Sequence, residues 1–474
     1  MTKIQMTETT PSPVPGGGRG VDEPRVSDSN PVHEGSFDLL IKNALLVTMD
    51  PALTIFHPGS LAVRGDTIAA LGPPEDLNHW EGSAREVLDA GGNAVLPGLI
   101  NSHTHAAMTL FRGLADDLPL EEWLHNHIFP AERHITGEWV YWGTLLACAE
   151  MIASGTTTFC DMYLFEHEVA RAATQAGMRA LVGEVLYDFP SPNYGPIAQG
   201  FAYTRELIAR YREDPLIAVA IEPHTPFTCS PALLKTAKAL SMETGVPLII
   251  HLSETRGEVE RSIAQYGRSP ARHLDQLGLL DENLIAVHTV VLDEAELDLL
   301  AARGVRVAHC PESNMKLASG VAPVPEMLQR GIRVGLGTDG CASNNNLDLF
   351  QEMDTAAKLH KVFHRDPTVL DAPAVLKMAT SGGARVLGLE DRIGSLEAGK
   401  KADLIFLNLD QPHLTPLYNI YSHLVYCARG ADVTRVIVGG RTLMAGGRFL
   451  TLDWEEVARQ ARRFAENLKA RGLN

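Results

Sequence analysis

Two histidines stand one residue apart in the segment GLINSHTHAAMTLFRG, at the end of a short apolar run. In an extended strand, side chains two positions apart point to the same side, so His103 and His105 would present their imidazoles to one point. The pair is either half of a metal site or two polar residues that close a strand. The choice between these interpretations depends on whether further ligands follow elsewhere in the chain.

Other residues with this chemistry follow later apolar runs at equivalent places. They are His224, His251, His288, His309 and Asp339, together with Glu254 three residues beyond His251. One such histidine is more often a structural residue, but six histidines and an aspartate in the same relation to apolar runs favour a common site. Imidazoles and a carboxylate suit Zn²⁺ or another divalent ion, which lowers the pKa of a bound water. Glu254 is placed to move the proton of that water.

The middle of the chain, residues 97–392, alternates short apolar runs with longer helical patterns. The eight runs are VLPGLINSHTH, TTTFCDM, RALVGEVL, IAVAIEPH, VPLIIHLSE, LIAVHTV, VRVAHCPES and IRVGLGTDG. Eight βα units in succession predict an α/β fold, a (β/α)8 TIM barrel around a parallel sheet. Enzymes of this architecture carry their active sites at the carboxyl ends of the strands, which is where the histidines and Asp339 occur.

Two β-rich segments, residues 36–96 and 393–450, flank the barrel region. Each is small for a domain, so we expect the two to pair into one discontinuous β-sandwich domain. Residues 451–474 carry an amphipathic pattern with alternating charges, which predicts a C-terminal helix. Residues 1–35 are rich in Pro, Gly, Ser and Thr and lack an apolar stretch, which predicts a disordered tail and not a signal peptide.

Charge and composition exclude several classes of function. The 474 residues have a formal net charge of −17, so the chain offers no basic surface for nucleic acid. No apolar run approaches the length that crosses a membrane. The six cysteines are scattered without a C-x-x-C pair, which is typical of reduced thiols in the cytoplasm.

Five motifs make the chain resemble the amidohydrolase superfamily, in the branch with the S-adenosylhomocysteine, methylthioadenosine and adenosine deaminases and the triazine hydrolases. They are PGLINSHTHAAMTLFRGLADDLPLEEWL, SGTTTFCDMY, HLSET, AHCPESNMKLASG and GLGTDGCASNNNLDLF. The resemblance implies one divalent metal ion, zinc or alternatively iron, with four ligands: His103, His105, His251 and Asp339. It also implies that Glu254 carries a proton from water to the substrate ring, that His288 orients the water, and that Asp339 accepts a second proton. A binuclear site needs a lysine on strand 4, and IAVAIEPH has none.

The resemblance also implies substrate contacts beyond that of Glu254. Trp123 in LEEWL would line the purine pocket, Glu132 in FPAERHI would accept hydrogen bonds from ribose hydroxyls, and His224 would contact the sugar or its 5′ side. A triazine has no ribose to use Glu132. We therefore expect hydrolytic deamination of an adenine nucleoside (5′-methylthioadenosine, S-adenosylhomocysteine, adenosine or 5′-deoxyadenosine) to its inosine analogue and ammonia.

The resemblance also implies that Glu184 contacts the substrate, at a place where relatives that take S-adenosylhomocysteine carry an arginine, and this weakens the case for a carboxylate-bearing 5′ group. Two other functions stay open. The same residues serve ring hydrolases that act on guanine, a pterin or a triazine, and a barrel of this kind without activity serves as a scaffold. All four ligands and Glu254 are present, which argues against the scaffold. The family further implies a homo-oligomer whose partner is a small-molecule substrate, with no nucleic acid or membrane.

Several nearby residues receive structural interpretations. His309 and Asn314 are expected to support the loop after strand 7. His360 and His364 have i,i+4 spacing but lack the glutamate of an H-E-x-x-H motif, which predicts a solvated helix face.

Overall fold

The structure is a computed structural model that describes residues 37–118 and 120–472. The predicted tail, residues 1–35, lies outside the described residues. Residues Phe37–Asn474 form one compact unit, which contains both the barrel and the flanking sheet. Among the described residues, no helix has the length and apolar content needed to cross a membrane.

The first strands are rich in branched and other apolar residues, as β structure favours. They are β1 (Phe37–Val47), β2 (Ile55–Arg64), β3 (Thr67–Gly72), β4 (Ala84–Asp89) and β5 (Ala94–Pro97). β1 pairs antiparallel with β2 and parallel with both β4 and β5. Because β5 leads almost directly into the barrel, this sheet fixes where the first barrel strand begins.

Parallel strands with helices on their outer side form the barrel. The strands are β6 (Leu99–Thr104), β7 (Thr156–Tyr163), β8 (Arg179–Leu186), β9 (Ile217–Val219), β10 (Glu222–Pro223), β11 (Leu248–Leu252), β12 (Leu284–His288), β13 (Arg306–His309) and β14 (Arg333–Leu336). β9 and β10 are two pieces of the predicted fourth strand, and both pair with β8. The eight predicted strand positions are therefore all occupied, and the predicted barrel fold is confirmed.

Two contacts close the barrel. Ile221 bridges to Leu248 in parallel and so joins β10 to β11. At the opposite seam, the backbone N–H of Asp339 donates to the carbonyl of His103 at 3.0 Å. Gly337 permits this approach, because a Cβ at that position would lie 2.8 Å from the backbone nitrogen of His103. Gly337 thus allows the segment that carries Asp339 to lie against β6, the first strand of the barrel.

Helices follow most of the strands. The α-helices are α1 (Pro74–Leu77), α2 (Leu120–Trp123), α3 (Phe129–Glu132), α4 (Gly137–Ala153), α5 (Glu166–Ala176), α6 (Ile197–Tyr211), α7 (Pro231–Thr244), α8 (Arg256–Tyr266), α9 (Pro270–Gln276), α10 (Glu294–Arg303), α11 (Pro311–Lys316), α12 (Val324–Gln329), α13 (Leu349–His364), α14 (Ala372–Met378), α15 (Ser381–Leu387), α16 (Ile420–Tyr426) and α17 (Trp454–Ala470). Short 3₁₀ segments lie at Asn78–Ser83, Ala106–Phe111, Pro412–Leu414 and Gly430–Asp432, and a π-helical turn at Leu124–Ile128 joins α2 to α3.

The last strands return to the first sheet. They are β15 (Leu404–Leu407), β16 (Val433–Val438), β17 (Arg441–Ala445) and β18 (Arg448–Phe449). β15 pairs antiparallel with β5, so the two end segments form one nine-stranded sheet. α17 then packs on the barrel, where the Phe464 ring lies 5.0 Å from that of Trp139.

One structural interpretation from the sequence is wrong. His360 on α13 is fully buried, and its Nε2 lies 3.3 Å from Nε2 of His309 at the end of β13. It continues the buried stripe of Met353, Ala356 and Ala357, at the spacing of one helix face. The predicted solvated face therefore does not apply to His360.

Candidate metal centre and active site

Four predicted ligands converge at the carboxyl ends of three barrel strands. His103 lies on β6 and His105 directly follows it, His251 lies on β11, and Asp339 comes three residues after β14. The Nε2 atoms of His251 and His103 are 3.2 Å apart. Asp339 Oδ1 lies 3.1 Å from His105 Nε2 and 3.6 Å from His103 Nε2. We call these four residues the ligand cluster.

Backbone carbonyls hold two of the imidazoles in a ligating orientation. Nδ1 of His251 donates to the carbonyl of His224 at 2.9 Å, and Nδ1 of His105 donates to the carbonyl of Met162. With the proton on Nδ1, the lone pair of Nε2 points into the cluster, which is the common arrangement for metal-bound histidines. The barrel backbone therefore sets the tautomer of both side chains.

Asp339 is held by three donors, two from its own loop and one from α11. Its Oδ2 accepts from the hydroxyls of Ser313 at 2.6 Å and Ser343 at 3.0 Å, and its Oδ1 accepts from the N–H of Gly340 at 2.9 Å. The residue has φ +59°, a left-handed conformation that is costly for a side-chain-bearing residue. This backbone strain at a fully enclosed carboxylate is typical of a functional position.

The protonation states of the cluster favour a cation at its centre. Burial lowers the pKa of His103 to about 4 and that of His251 well below its usual value, so both are neutral. Burial acts to raise the pKa of Asp339, but hydrogen bonds from His103 and His105 hold it well below its ordinary range. Burial likewise acts to lower the pKa of His105, yet the hydrogen bond and charge of Asp339 raise it to about 9. A divalent ion would displace that proton, so three imidazoles and one carboxylate fit zinc.

Glu254 and His288 lie beside the ligand cluster. Glu254 Oε2 is 3.8 Å from Nε2 of His288, and the other oxygen, Oε1, accepts from Ser319 Oγ at 3.4 Å. Nδ1 of His288 donates to Oδ1 of Asn314 at 3.0 Å, which turns Nε2 towards the cluster. Burial raises the pKa of Glu254 above its ordinary value. A carboxyl with a raised pKa next to an oriented imidazole is suited to proton transfer near neutral pH.

A cavity of about 1020 Å³, measured with its open mouth, lies over these groups. Its walls include three of the predicted substrate contacts, Trp123, Glu132 and His224. The indole Nε1 of Trp123 is buried and has no hydrogen-bond partner among the described residues. Burial raises the pKa of Glu132 to about 7, an effect that the Tyr163 hydroxyl partly offsets. The cavity thus combines an unused donor, the N–H of Trp123, with the half-buried carboxylate of Glu132.

The structure does not bring Glu184 to this cavity. Its Oε1 accepts from Nδ2 of Asn193 at 2.8 Å, and its Oε2 accepts from the N–H of Glu166 at 3.0 Å. The next residue of β8, Val185, lines the cavity, whereas Glu184 does not. The expectation that Glu184 contacts a substrate is therefore corrected.

The profile of the amidohydrolase family matches residues 94–443. The chain belongs to the amidohydrolase family. A 5-methylthioadenosine/S-adenosylhomocysteine deaminase of Syntrophobacter fumaroxidans is 60% identical over 432 residues, which is 91% of this chain and 98% of that protein. A protein of the same name from Desulforudis audaxviator is 50% identical over 91% of this chain and 99% of its own length.

Solved structures agree with this amidohydrolase assignment. The crystal structure of a zinc-bound adenosine deaminase from Xanthomonas campestris is 42% identical, covers 92% of this chain and 99% of its own, and has a TM-score of 0.90. The zinc complex of atrazine chlorohydrolase from Arthrobacter aurescens TC1 shares the fold, with a TM-score of 0.82 at 24% identity over 90% of this chain and 99% of its own.

The sequence interpretation assigned no specific contact to several supporting residues of this amidohydrolase site. Ser313 and Ser343 fix Asp339, Asn314 fixes His288, and Ser319 contacts Glu254. Glu258 is a fifth case, because its Oε2 accepts the backbone N–H of Glu254 at 2.7 Å. The spacing of Glu258 four residues after Glu254 was visible in the sequence, but hydroxyl and amide partners carry no periodic signal.

Proposed function

We propose that this amidohydrolase converts an adenine nucleoside to its inosine analogue with release of ammonia. One observation carries the proposal. A single cavity is lined by three members of the ligand cluster, by the Glu254–His288 pair and by the half-buried carboxylate of Glu132. The first two suit hydrolysis at a ring carbon, and the third suits a substrate with hydroxyl groups. The names of the related deaminases are consistent with this assignment.

We propose one zinc ion as the cofactor, bound by His103, His105, His251 and Asp339. The ion, when bound, supplies a water molecule of lowered pKa and a positive charge that stabilises the developing oxyanion. The support is the donor set itself, since three imidazoles and one carboxylate leave a position for water. Zinc is also present in the related Xanthomonas campestris structure.

Three side chains of this chain then move protons or orient the attack. Glu254, as carboxylate, takes a proton from the attacking water and transfers it to N1 of the purine, beside the attacked C6. His288 directs Nε2 at the attacking oxygen, because Asn314 holds its Nδ1. Asp339 accepts the second proton and passes it to the leaving amino group, so that ammonia departs. General acid–base catalysis of this kind contributes about 10²–10⁴-fold to the rate.

Three other side chains would bind the nucleoside. The ionised carboxylate of Glu132 accepts from the 2′ and 3′ hydroxyls, a contact that a triazine or a free base has no group to make. Trp123 offers its ring to the purine and its unpaired N–H as a donor. Burial lowers the pKa of His224 to about 3, so this imidazole is neutral and suits a sugar rather than an anion.

We further propose that the enzyme acts in the cytoplasm as a homo-oligomer. The support for the cytoplasm is the cysteine pattern, since all six are free thiols and five of them are buried. The homo-oligomer rests on the family resemblance. Size-exclusion chromatography with light scattering gives the subunit number directly.

The test is an ultraviolet assay of purified, zinc-loaded protein with methylthioadenosine, S-adenosylhomocysteine, adenosine, guanine and a triazine. We expect loss of the adenosine chromophore with at least one nucleoside, and release of one ammonia per inosine analogue formed. Activity on guanine or the triazine alone would contradict the proposal. Glu254→Gln should retain zinc but lose about 10²–10⁴-fold in kcat, and full turnover by this variant would exclude Glu254 as the proton carrier.

A further inference from the structure

The helix after Glu254 forms one wall of the cavity. Thr255, which directly precedes α8, and Glu258 and Arg261 within α8 all line it, and their spacing of three residues places them on one side. Thr255 caps the helix by accepting from the N–H of Glu258 at 3.2 Å. Glu258 is buried, whereas Arg261, one turn further from Glu254, is exposed. The helix therefore leads from the reacting centre to the mouth of the cavity, and Arg261 lies at the outer end.

Aromatic rings form the rest of this mouth. Phe189 and Phe227 line the cavity and are 41% and 42% exposed, unlike the enclosed groups around the ligand cluster. The guanidinium carbon of Arg261 lies 4.8 Å from the ring centroid of Phe227. Phe189 stacks on Tyr187, with centroids 3.9 Å apart. The mouth thus offers two apolar ring faces with a cation beside one of them.

A nucleoside can enter this cavity in one chemically productive direction. Its C6 must reach Glu254 and His288 at the closed end, and its ribose hydroxyls reach Glu132. The 5′ substituent then extends towards the mouth. Among the described residues that line the cavity, Arg261 is the sole lysine or arginine.

We propose that Arg261 binds the carboxylate of an amino-acid group on the 5′ substituent, as in S-adenosylhomocysteine, while Phe189 and Phe227 pack against the thioether carbons. This inference rests on the proposed nucleoside deamination. Guanidinium and carboxylate form a charge-assisted, geometrically matched pair. From the sequence, Glu184 argued against a carboxylate-bearing 5′ group. This argument does not hold in the structure, because the Glu184 carboxylate lies outside the cavity and is held by Asn193.

The test compares kcat/KM for S-adenosylhomocysteine with kcat/KM for methylthioadenosine, which has the thioether but no carboxylate. We expect the ratio of the two to fall about tenfold in Arg261→Met, since the charge-assisted bond lies at a solvent-exposed mouth. Arg256→Met is the matched control, because Arg256 is an exposed arginine of the same helix that does not line the cavity. This control should keep the wild-type ratio. Added salt should raise KM for S-adenosylhomocysteine more than KM for methylthioadenosine.

Two outcomes would overturn the subsite. An unchanged ratio in Arg261→Met means that the guanidinium does not contact the substituent, and equal losses on both nucleosides mean that Arg261 is only structural. Calorimetric titration of the same variants with both nucleosides separates this inference from the proposed function. Selective binding of S-adenosylhomocysteine that Arg261→Met abolishes, without turnover of any nucleoside by wild type, would overturn the deaminase assignment and retain the subsite.

Discussion

The barrel encloses two groups of buried carboxyls that behave in opposite ways. In the ligand cluster, Asp339 is ionised although it is enclosed by protein. A second group, which we call the inner acid cluster, is carried by β7, the start of α5, β8 and β10: Asp161, Glu166, Glu184 and Glu222. All four are fully buried, and burial raises the pKa of each, to about 6 for Asp161 and about 8 for Glu184. The same barrel thus lowers the pKa of one buried carboxyl and raises the pKa of four others.

The difference lies in the partners and not in the depth of burial. Asp339 accepts from two hydroxyls and a backbone N–H and faces two imidazoles. The oxygens of Glu222 have no hydrogen-bond partner among the described residues, and the charge of Asp161 disfavours a second negative charge beside it. Burial alone penalises the charged form, and only donors and positive charge reverse this. A buried acid in a barrel is therefore a site candidate only when imidazoles accompany it.

The largest expected effect comes from removing the charge of Asp339. Asp339→Asn keeps the shape of the side chain, but a neutral amide no longer balances a divalent ion. We expect loss of most bound zinc and a decrease of about a thousandfold or more in kcat/KM. Metal content by plasma emission spectrometry and the ultraviolet assay measure both.

Glu222→Gln is the matched control. It also replaces a buried carboxyl by the corresponding amide, but it does so in the inner acid cluster. It should keep its zinc and near wild-type activity. If Glu222→Gln lost metal as completely as Asp339→Asn, the two clusters would not be distinct.

A smaller effect on activity is expected at Asn314, which orients His288 but does not contact any of the four metal ligands through a hydrogen bond given by the structure. Asn314→Leu removes the acceptor for Nδ1 of His288 and frees the imidazole to rotate. We expect kcat to fall about 10–100-fold, with KM and zinc content near wild type. Asn314→Asp retains an oxygen acceptor and should recover most of kcat. Equal losses in the two variants would show that packing, and not the hydrogen bond, is what Asn314 provides.

Glu132 lies between the two kinds of carboxyl, with a pKa raised by burial to about 7. Its carboxylate form accepts from ribose hydroxyls, so the binding-competent form is lost as pH falls through that value. KM for a nucleoside should then rise about tenfold per pH unit below about pH 7. Glu132→Gln should have a raised KM with a flatter pH profile. A wild-type KM that is constant from pH 8 to pH 6 would contradict this assignment.

Most of the fold could be predicted, because eight apolar runs separated by helical patterns have few alternative arrangements. The structure differs from the predicted barrel mainly in its fourth strand, which is split at Ala220 and Ile221. No periodicity in the sequence predicts this break. The ligand cluster could also be predicted from the sequence, since parallel strands in a barrel bring their carboxyl ends together. His103, His105, His251 and Asp339 needed only their places at strand ends to be grouped.

The partners of these ligands could not be predicted in the same way. Glu184 was expected to contact the substrate, but Asn193 and the backbone of Glu166 hold its carboxylate outside the cavity. Ser343 acts through the geometry of its loop and Asn314 through the position of α11 beside His288, and the sequence pattern encodes neither. His360 could have been placed, since it continues a helical stripe with Met353 and Ala357.

The smallest expected effect concerns stability and the inner acid cluster. Burial raises the pKa of Glu222 well above its ordinary value of 4.5, so the folded protein binds a proton that the unfolded chain releases above that pH. The free energy of unfolding therefore decreases as pH rises from about 4.5 towards the folded-state pKa. Glu222→Gln does not titrate, so it should match wild type at about pH 4.5 and exceed it by about 1 kcal/mol or more near pH 8. Urea denaturation at both pH values measures this difference. Parallel pH profiles of the two proteins would mean that Glu222 is ionised in the folded state, as Asp339 is, and that the contrast between the two clusters does not extend to this residue.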